Sequence, residues 1–237
     1  MNKAMNQWMQ QTAHKEYVSW FLYLPRGIDR LKELGTLKKI PAGTVIAEAG
    51  CKTDRCYLIK TGRVIGYEYT KGGEQRIYCA NEKESLVLED CLLLGCEVPI
   101  NFQTTMETEL YCISRKELQA VIYENPEAAM DIIQSLSMKL MSVVEQVRFE
   151  QEHSATEKVC NLLLAYAGRY GVADSDGTMI REKLSQEYIA NLLGLNRVTV
   201  VRVMKDLKQQ GLVEKKNGYY YLYHVEQIYD YKNEKWA

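Results

Sequence analysis

Two hydrophobic textures divide the chain. From Leu37 to Ile113 the apolar residues come in short runs: Thr44-Val45-Ile46, Tyr57-Leu58-Ile59-Lys60, Arg63 to Tyr69 and Arg76-Ile77-Tyr78-Cys79. Glycines at 43, 50, 62, 66, 72 and 73 punctuate them. Such runs, rich in Val, Ile and Tyr, read as short strands. The alternation in Val64 to Tyr69 is imperfect, as in strands partly covered on both faces. Lys71-Gly72-Gly73-Glu74 reads as a hairpin turn, because glycine supplies positive φ. Many short strands at this spacing predict a sandwich, roll or barrel. Before them, Trp20, Phe21, Leu22 and Leu24 suggest a short helix interrupted at Pro25.

After Ile113 the period becomes helical. Ser114 with Glu117 forms a capping-box pattern, and Pro126 suits the first turn of a second helix. From there Ala129, Ile133, Leu136, Leu140, Val143 and Val147 recur at alternating four and three residues, a coiled-coil seam of nearly three heptads. Met138, Lys139, Ser142 and Gln146 lie off it. The helix could lie on its own domain's core or pair with a second copy; the narrow seam on a long helix favours the dimer. A third region begins near Ser154. Ala155 to Tyr170 reads as a helix with Val159, Leu162, Leu163 and Tyr166 on one face, ended by Gly171. Asp174-Ser175-Asp176-Gly177 is a turn, two more helices follow, and Lys216-Asn217-Gly218 joins two short runs as a hairpin.

Residues 185–210 carry the most specific pattern. Ser185 caps a helix whose inner face holds Ile189, Leu192 and Leu193. Small Ala190 lets a second helix cross closely, and Gly194 gives the turn its backbone freedom. This is a helix-turn-helix signature. In the second helix, Arg197 to Gln209, Val200, Val203, Met204 and Leu207 face the core at i, i+3, i+4, i+7. Arg197, Val198, Val201, Arg202, Lys205 and Lys208 face outward. Exposed valines beside arginines are odd on a merely solvated helix. They suit a major groove, where apolar side chains meet thymine methyls and Arg meets guanine O6 and N7. The structural alternative is a three-helix packing with ordinary surface lysines.

Charge sharpens this picture. The 237 residues hold 30 Lys and Arg against 31 Asp and Glu, a net charge of -1, so any nucleic-acid surface is a local patch. Asn196 to Gly218 holds such a patch: six basic residues against two acidic ones (Asp206, Glu214). Lys215 and Lys216 place the hairpin as a wing over phosphate. A hydrophobic fraction of 46% and a charged fraction of 26% fit two soluble globular domains. Tyr17 to Leu24 is too short to span a bilayer, for which about 20 residues are needed, and the N-terminus lacks an export-signal pattern. Seven cysteines, an odd number, fit a reducing compartment. The expectation is a cytoplasmic protein with no membrane partner.

The fold class expected is α+β. Residues 1–125 form an N-terminal sensor β-roll (a double-stranded β-helix), 126–152 a long dimerisation helix, and 153–237 a winged helix-turn-helix. Over residues from about 37 to 225 the chain resembles the superfamily of the cyclic AMP receptor protein and the fumarate-nitrate regulator, CRP/FNR. The resemblance rests on Pro41-Ala42-Gly43, Gly50 and Gly62 in the roll and on Leu184 to Val213 in the last domain. It implies a homodimeric bacterial transcription regulator that couples a signal in the roll to double-stranded DNA at a pseudo-palindrome, with RNA polymerase as a partner if it activates. It implies Arg197 and Arg202 as base-reading residues and Asn196, Thr199 and Lys205 as phosphate contacts. Where well-known members carry a glutamate, this chain has Val198, which with Val201 points to thymine contacts and an A/T-richer half-site.

The signal pocket departs from the family pattern. A Gly-Glu pair becomes Leu88-Glu89, and an Arg-Ser pair becomes Val98-Pro99. No arginine remains for a phosphate, and Pro99 has no N–H. Val143 and Val144 stand where the helix meets adenine, without hydroxyls. Tight cyclic AMP binding is not expected. An apolar cavity near Leu88, Glu89, Phe102, Val143 and Val144, for an apolar or aromatic effector of unknown identity, fits better; so does a degenerate pocket with no effector.

No cysteine precedes Cys51, and Cys51/Cys56 and Cys91/Cys96 are not spaced as an iron–sulfur cluster requires. Each pair, set near glycines and turns, is a candidate redox site. His14, His153 and His224 fall outside the roll, so a metal-dependent roll enzyme lacks its ligands. No phosphate loop or catalytic constellation appears, and no metal, cofactor or enzymatic activity is expected. Tyr219, Tyr220, Tyr221 and Tyr223 fit hairpin packing. The reading from the residues is a DNA-binding regulator responding to a small molecule or redox signal. The alternative is a sensing module whose helix-turn-helix contacts protein.

Overall fold

In the computed structural model, which describes residues 28–174 and 177–234, the glycine-punctuated stretch forms eight strands with one short helix among them. The expected helix around Trp20 to Leu24 lies outside the described residues. A 3-10 turn, Ile28–Glu33, leads into β1 (Thr36–Ile40), β2 (Val45–Ala47), β3 (Arg55–Thr61), β4 (Val64–Tyr69), β5 (Gln75–Asn81) and β6 (Leu86–Val87). Helix α1 (Glu89–Leu94) follows, then β7 (Asn101–Thr104), β8 (Thr108–Ser114), α2 (Arg115–Glu124) and the long α3 (Pro126–Glu152).

Two four-stranded antiparallel sheets result, in the orders β1-β8-β3-β6 and β2-β7-β4-β5. The β4–β5 hairpin turns at Thr70 to Glu74, where Gly73 has φ 82°. Apolar side chains fill the roll in two clusters. One joins Cys56, Leu58, Leu86 and Ile113 to Leu118 and Val121 of α2 and Ala128 and Ile132 of α3. The other gathers Ile59, Val64, Val87, Leu88, Cys91 and Val98. Each buried Leu, Ile or Val contributes roughly 1.5–3 kcal/mol against exposure. The β8–α2 junction is fixed by the expected capping box: Ser114 Oγ accepts from Glu117 N–H, and Glu117 accepts from Ser114 N–H at 2.7 Å.

Described residues 28–144 form one compact unit and 145–234 belong to a second. In the second, α4 (Ala155–Tyr170) opens on a capping box, Ser154 with Glu157, and buries Val159, Leu162, Leu163 and Tyr166. Then come β9 (Gly171–Asp174), β10 (Gly177–Ile180), α5 (Gln186–Leu193), α6 (Arg197–Gln209), β11 (Val213–Lys216), β12 (Tyr219–Leu222) and α7 (Val225–Glu234). Strands β9 and β10, absent from the sequence reading, extend the wing into a sheet ordered β11-β12-β10-β9. The wing turns at Asn217 (φ 54°) and Gly218 (φ 89°).

Candidate nucleic-acid interface and sensor site

Helix α6 is aimed by its neighbours. Ser185 caps α5 by accepting from Tyr188 N–H at 2.9 Å. The helix stops at Gly194, whose left-handed φ of 60° reverses the chain at little cost. Asn196 then caps α6, its Oδ1 accepting from Val198 N–H at 2.8 Å. Val200, Val203, Met204 and Leu207 are buried and fix the rotation of the helix. The opposite face therefore presents Arg197, Val198, Val201, Arg202 and Lys205 to solvent, with Thr199 half-buried beside them. Val198 is 75% exposed, far beyond what packing alone asks of a valine. Arg197, Arg202 and Lys205 enter no ion pair among the described residues. The helix thus offers uncompensated cations, apolar methyls and N-terminal N–H groups on one surface. That is the chemistry of a duplex groove.

The wing differs from the expectation. Lys216 Nζ lies 2.9 Å from Glu214 and donates to Tyr223 Oη at 3.0 Å. Lys215 Nζ donates to the Leu184 carbonyl at 3.0 Å and sits over the Tyr220 ring. Both ammonium groups are engaged within the domain, so the wing is held by them before it can hold phosphate. Lys183, absent from the sequence reading, abuts the wing: its Nζ lies over Tyr219, and its stem lies beside Gly218. Its position just before the Ser185 cap was the available signal.

In the roll, two of the five residues proposed for an apolar cavity, Leu88 and Phe102, pack in one cluster. Leu88 and Glu89 are buried and Phe102 packs half-buried against Leu88's cluster, whereas Val143 and Val144 are 55% and 52% exposed. Lys139, which lies off the α3 seam, points inward instead. Its Nζ lies 2.5 Å from Glu89 Oε1 and donates to the Leu86 carbonyl at 3.0 Å. Burial works against the Lys139 charge, but Glu89 and then Asp90 outweigh it and hold its pKa above the ordinary lysine value. Glu89 is fully buried, and its Oε2 has no partner. Leu88 precedes α1 in a left-handed conformation, φ 69° and ψ 9°, at the place where the family pattern has glycine. Val98 is buried and Pro99 exposed, and neither brings a cation.

The cysteines separate by environment. Cys51 is exposed, while Cys56 sits in the core, its thiol pushed up to about 12 by burial and then by Glu89. Cys91 is buried and its thiol is pushed up to about 12, first by burial and then by Asp90, while Cys96 is exposed. Among the described residues no group of three or more His, Cys, Asp or Glu could hold a metal ion. No described helix is long and apolar enough to cross a membrane.

Two family models match the chain: a cyclic nucleotide-binding domain over residues 37–125 and a Crp-like helix-turn-helix domain over 157–228. The global nitrogen regulator of Synechococcus elongatus is 25% identical over 190 residues, 77% of this chain and 86% of the relative. The anaerobic regulatory protein of Bacillus subtilis is 23% identical over 186 residues, 77% of each chain. Among solved structures, the c-di-GMP responsive global regulator CLP of Xanthomonas campestris superposes with a TM-score of 0.73 at 20% identity, over 83% of this chain and 97% of that one. CprK complexed with OCPA gives 0.69 at 18% identity, over 88% of this chain and 99% of that one. At these identities the structural likeness shows the fold.

Proposed function

The chain belongs to the superfamily of the cyclic AMP receptor protein and the fumarate-nitrate regulator, a superfamily of DNA-binding transcription regulators, and from that premise we propose how it works. It acts as a homodimer paired along α3. Ile133, Leu140, Val143 and Val147 are each at least half exposed in the single chain, and a second copy of the same helix supplies the apolar face they need. Two-fold symmetry then sets two α6 helices into successive major grooves, about 34 Å apart, on a pseudo-palindromic site. Arg197 and Arg202 read bases. Asn196, Thr199 and Lys205 hold phosphates, and Val198 and Val201 meet thymine methyls. The protein is a cytoplasmic regulator without enzymatic activity, and it contacts RNA polymerase if it activates.

The roll is the sensory half, but not for cyclic AMP. Glu89, which would take a ribose hydroxyl, is already engaged by Lys139, and Val98-Pro99 provides no cation for a phosphate. The cysteine spacing likewise argues against an iron–sulfur cluster. A different small molecule or a redox change remains as the signal, and it must bind or modify the DNA-competent state preferentially.

The observation that carries this reading is the outward Arg-Val-Lys face of α6, opposite a fully buried one. Selection of bound sequences from a random duplex pool, with reduced and with oxidised protein at moderate salt, tests it. An enriched palindrome supports the proposal. Salt-insensitive or sequence-blind binding in both states would instead favour a helix-turn-helix that contacts protein.

A further inference from the structure

The lysines around the wing differ in what holds them. Lys216 Nζ pairs with Glu214 at 2.9 Å and donates to Tyr223 Oη at 3.0 Å. Lys215 Nζ donates to the Leu184 carbonyl at 3.0 Å, which ties the hairpin to the segment just before α5. Lys183, in that same segment, is exposed and enters no ion pair or hydrogen bond among the described residues. It is held in another way. Its Nζ lies 5.4 Å from the Tyr219 ring centroid, and its stem runs past the wing tip, where a Cβ on Gly218 would stand 3.7 Å from Lys183 Cε. An aromatic face attracts an ammonium group through its quadrupole and leaves N–H donors free for an oxygen acceptor.

We propose that Lys183 is the phosphate-contacting cation of the wing, held for that contact by Tyr219, while Lys215 and Lys216 build the hairpin. The proposal rests on the DNA-binding reading of α6 and adds a backbone contact to it. Two placements support it. Lys183 stands two residues before Ser185, the cap of α5, and the first helix of a helix-turn-helix crosses the DNA backbone while the second enters the groove. The wing in turn is fixed to the end of that second helix. Leu212 N–H donates to the Leu207 carbonyl at 3.0 Å, and Tyr223 N–H donates to the Leu212 carbonyl at 2.9 Å. Lys183 is thus carried by the start of α5 and by the wing at once. Like Arg197, Arg202 and Lys205 on α6, it has no acidic partner among the described residues, so its charge is open to an anion.

The energetics separate the three lysines. A lysine stem loses rotamer freedom when it grips a phosphate, and packing against Tyr219 and Gly218 restricts the Lys183 stem beforehand. Lys216 would first have to leave Glu214 and Tyr223, and the Glu214 carboxylate left behind would repel the phosphate. Lys215 would have to strand the Leu184 carbonyl. One phosphate contact contributes about 0.9 to the slope of log K against log salt, so at about 0.1 M salt its loss is on the order of eightfold in affinity, whatever the base sequence.

The test is fluorescence anisotropy of the full chain on its selected operator and on a random duplex of equal length, across a salt series. Lys183→Gln should weaken both duplexes by about eightfold per half-site and lower the salt slope by about 1 per half-site. Lys183→Arg should keep the slope, and Lys216→Gln should leave it unchanged. Tyr219→Leu should weaken both duplexes about two- to threefold with the slope intact, because the charge is still present but no longer held. An unchanged slope in Lys183→Gln, a loss confined to the operator, or a slope change in Lys216→Gln as large as in Lys183→Gln would overturn the assignment. A parent chain that binds no duplex sinks the regulator reading and this contact with it. A parent that binds, matched by Lys183→Gln across the salt series, sinks this contact alone.

Discussion

Replacing Lys139 with Met isolates the contact that joins the long helix to the sensor roll. The substitution keeps most of the aliphatic stem and removes the ammonium group. Glu89 is then fully buried with neither carboxylate oxygen paired by a cation, since Oε2 already lacks a partner. Breaking a buried pair from one side costs about 3–5 kcal/mol, against near zero to 1 kcal/mol for a surface pair. That is a large share of the 5–15 kcal/mol typical of a whole domain. Urea unfolding of the full chain, with hydrogen exchange of β4 and β5 amides reporting on the roll, should show a midpoint lower by about 1–3 M. Adding Glu89→Leu should restore most of the loss, because it removes the stranded charge. The pH dependence supplies a second sign. In the parent chain the Lys139 pKa is raised, so its contribution is full below the unfolded lysine value and is lost only as pH climbs through the higher folded value. The Lys139 contribution is therefore flat below about pH 9. A loss below about 1 kcal/mol, or a double variant as unstable as the single one, would refute the idea that this pair acts as a buried one.

Arg202→Ala should weaken binding to the selected operator by about 1–3 kcal/mol and relax readout at one base pair, while Lys205→Ala should weaken specific and random duplexes alike and reduce the salt slope by about 1; fluorescence anisotropy across a salt series separates them, and equal behaviour of the two variants defeats the assignment. Leu140 is 65% exposed on α3, so Leu140→Glu should leave helicity intact yet convert a dimer to a monomer in sedimentation, with operator affinity down at least about tenfold; an undisturbed dimer would place the interface elsewhere. Leu88 has a left-handed backbone, so Leu88→Gly should be more stable than Leu88→Ala by on the order of 1 kcal/mol although both lose the same packing; thermal unfolding that ranks Ala above Gly would show the strain to be absent.

The readable parts were those set by local physics. The Ser114 capping box, the ends of α4, the Gly194 turn and the two faces of α6 each depend on residues within a few positions of one another. Side-chain period and cap chemistry report them directly. Strands β9 and β10 were not legible, because Gly171 to Asp174 is exposed throughout and carries no alternation. Lys139 was read as lying off the heptad seam, with no partner foreseen, and in the structure it contacts Glu89 and the Leu86 carbonyl. What it faces is decided by how α3 crosses the roll, fifty residues away in sequence, and no local signal encodes that. Charge and spacing did not show that within the domain Lys216 pairs with Glu214 and donates to Tyr223. Leu88 also misled, since a leucine gives no hint of a left-handed backbone.

Helix α3 gathers these pieces into one mechanism. Its inner face, Ala128, Ile132, Ser135 and Lys139, is tied to the roll; its outer face, Ile133, Leu140, Val143 and Val147, is open for a second copy. Both faces belong to one helix, so in the proposed dimer a change at Lys139 acts on the helix that carries the seam. Coupling of the usual size, about 1–3 kcal/mol, is all that regulation requires, and stranding Glu89 by pulling Lys139 away costs about 3–5 kcal/mol. Val98-Pro99 brings no cation for a phosphate, yet α1 and α3 are linked by the chain's own residues, Glu89 and Lys139.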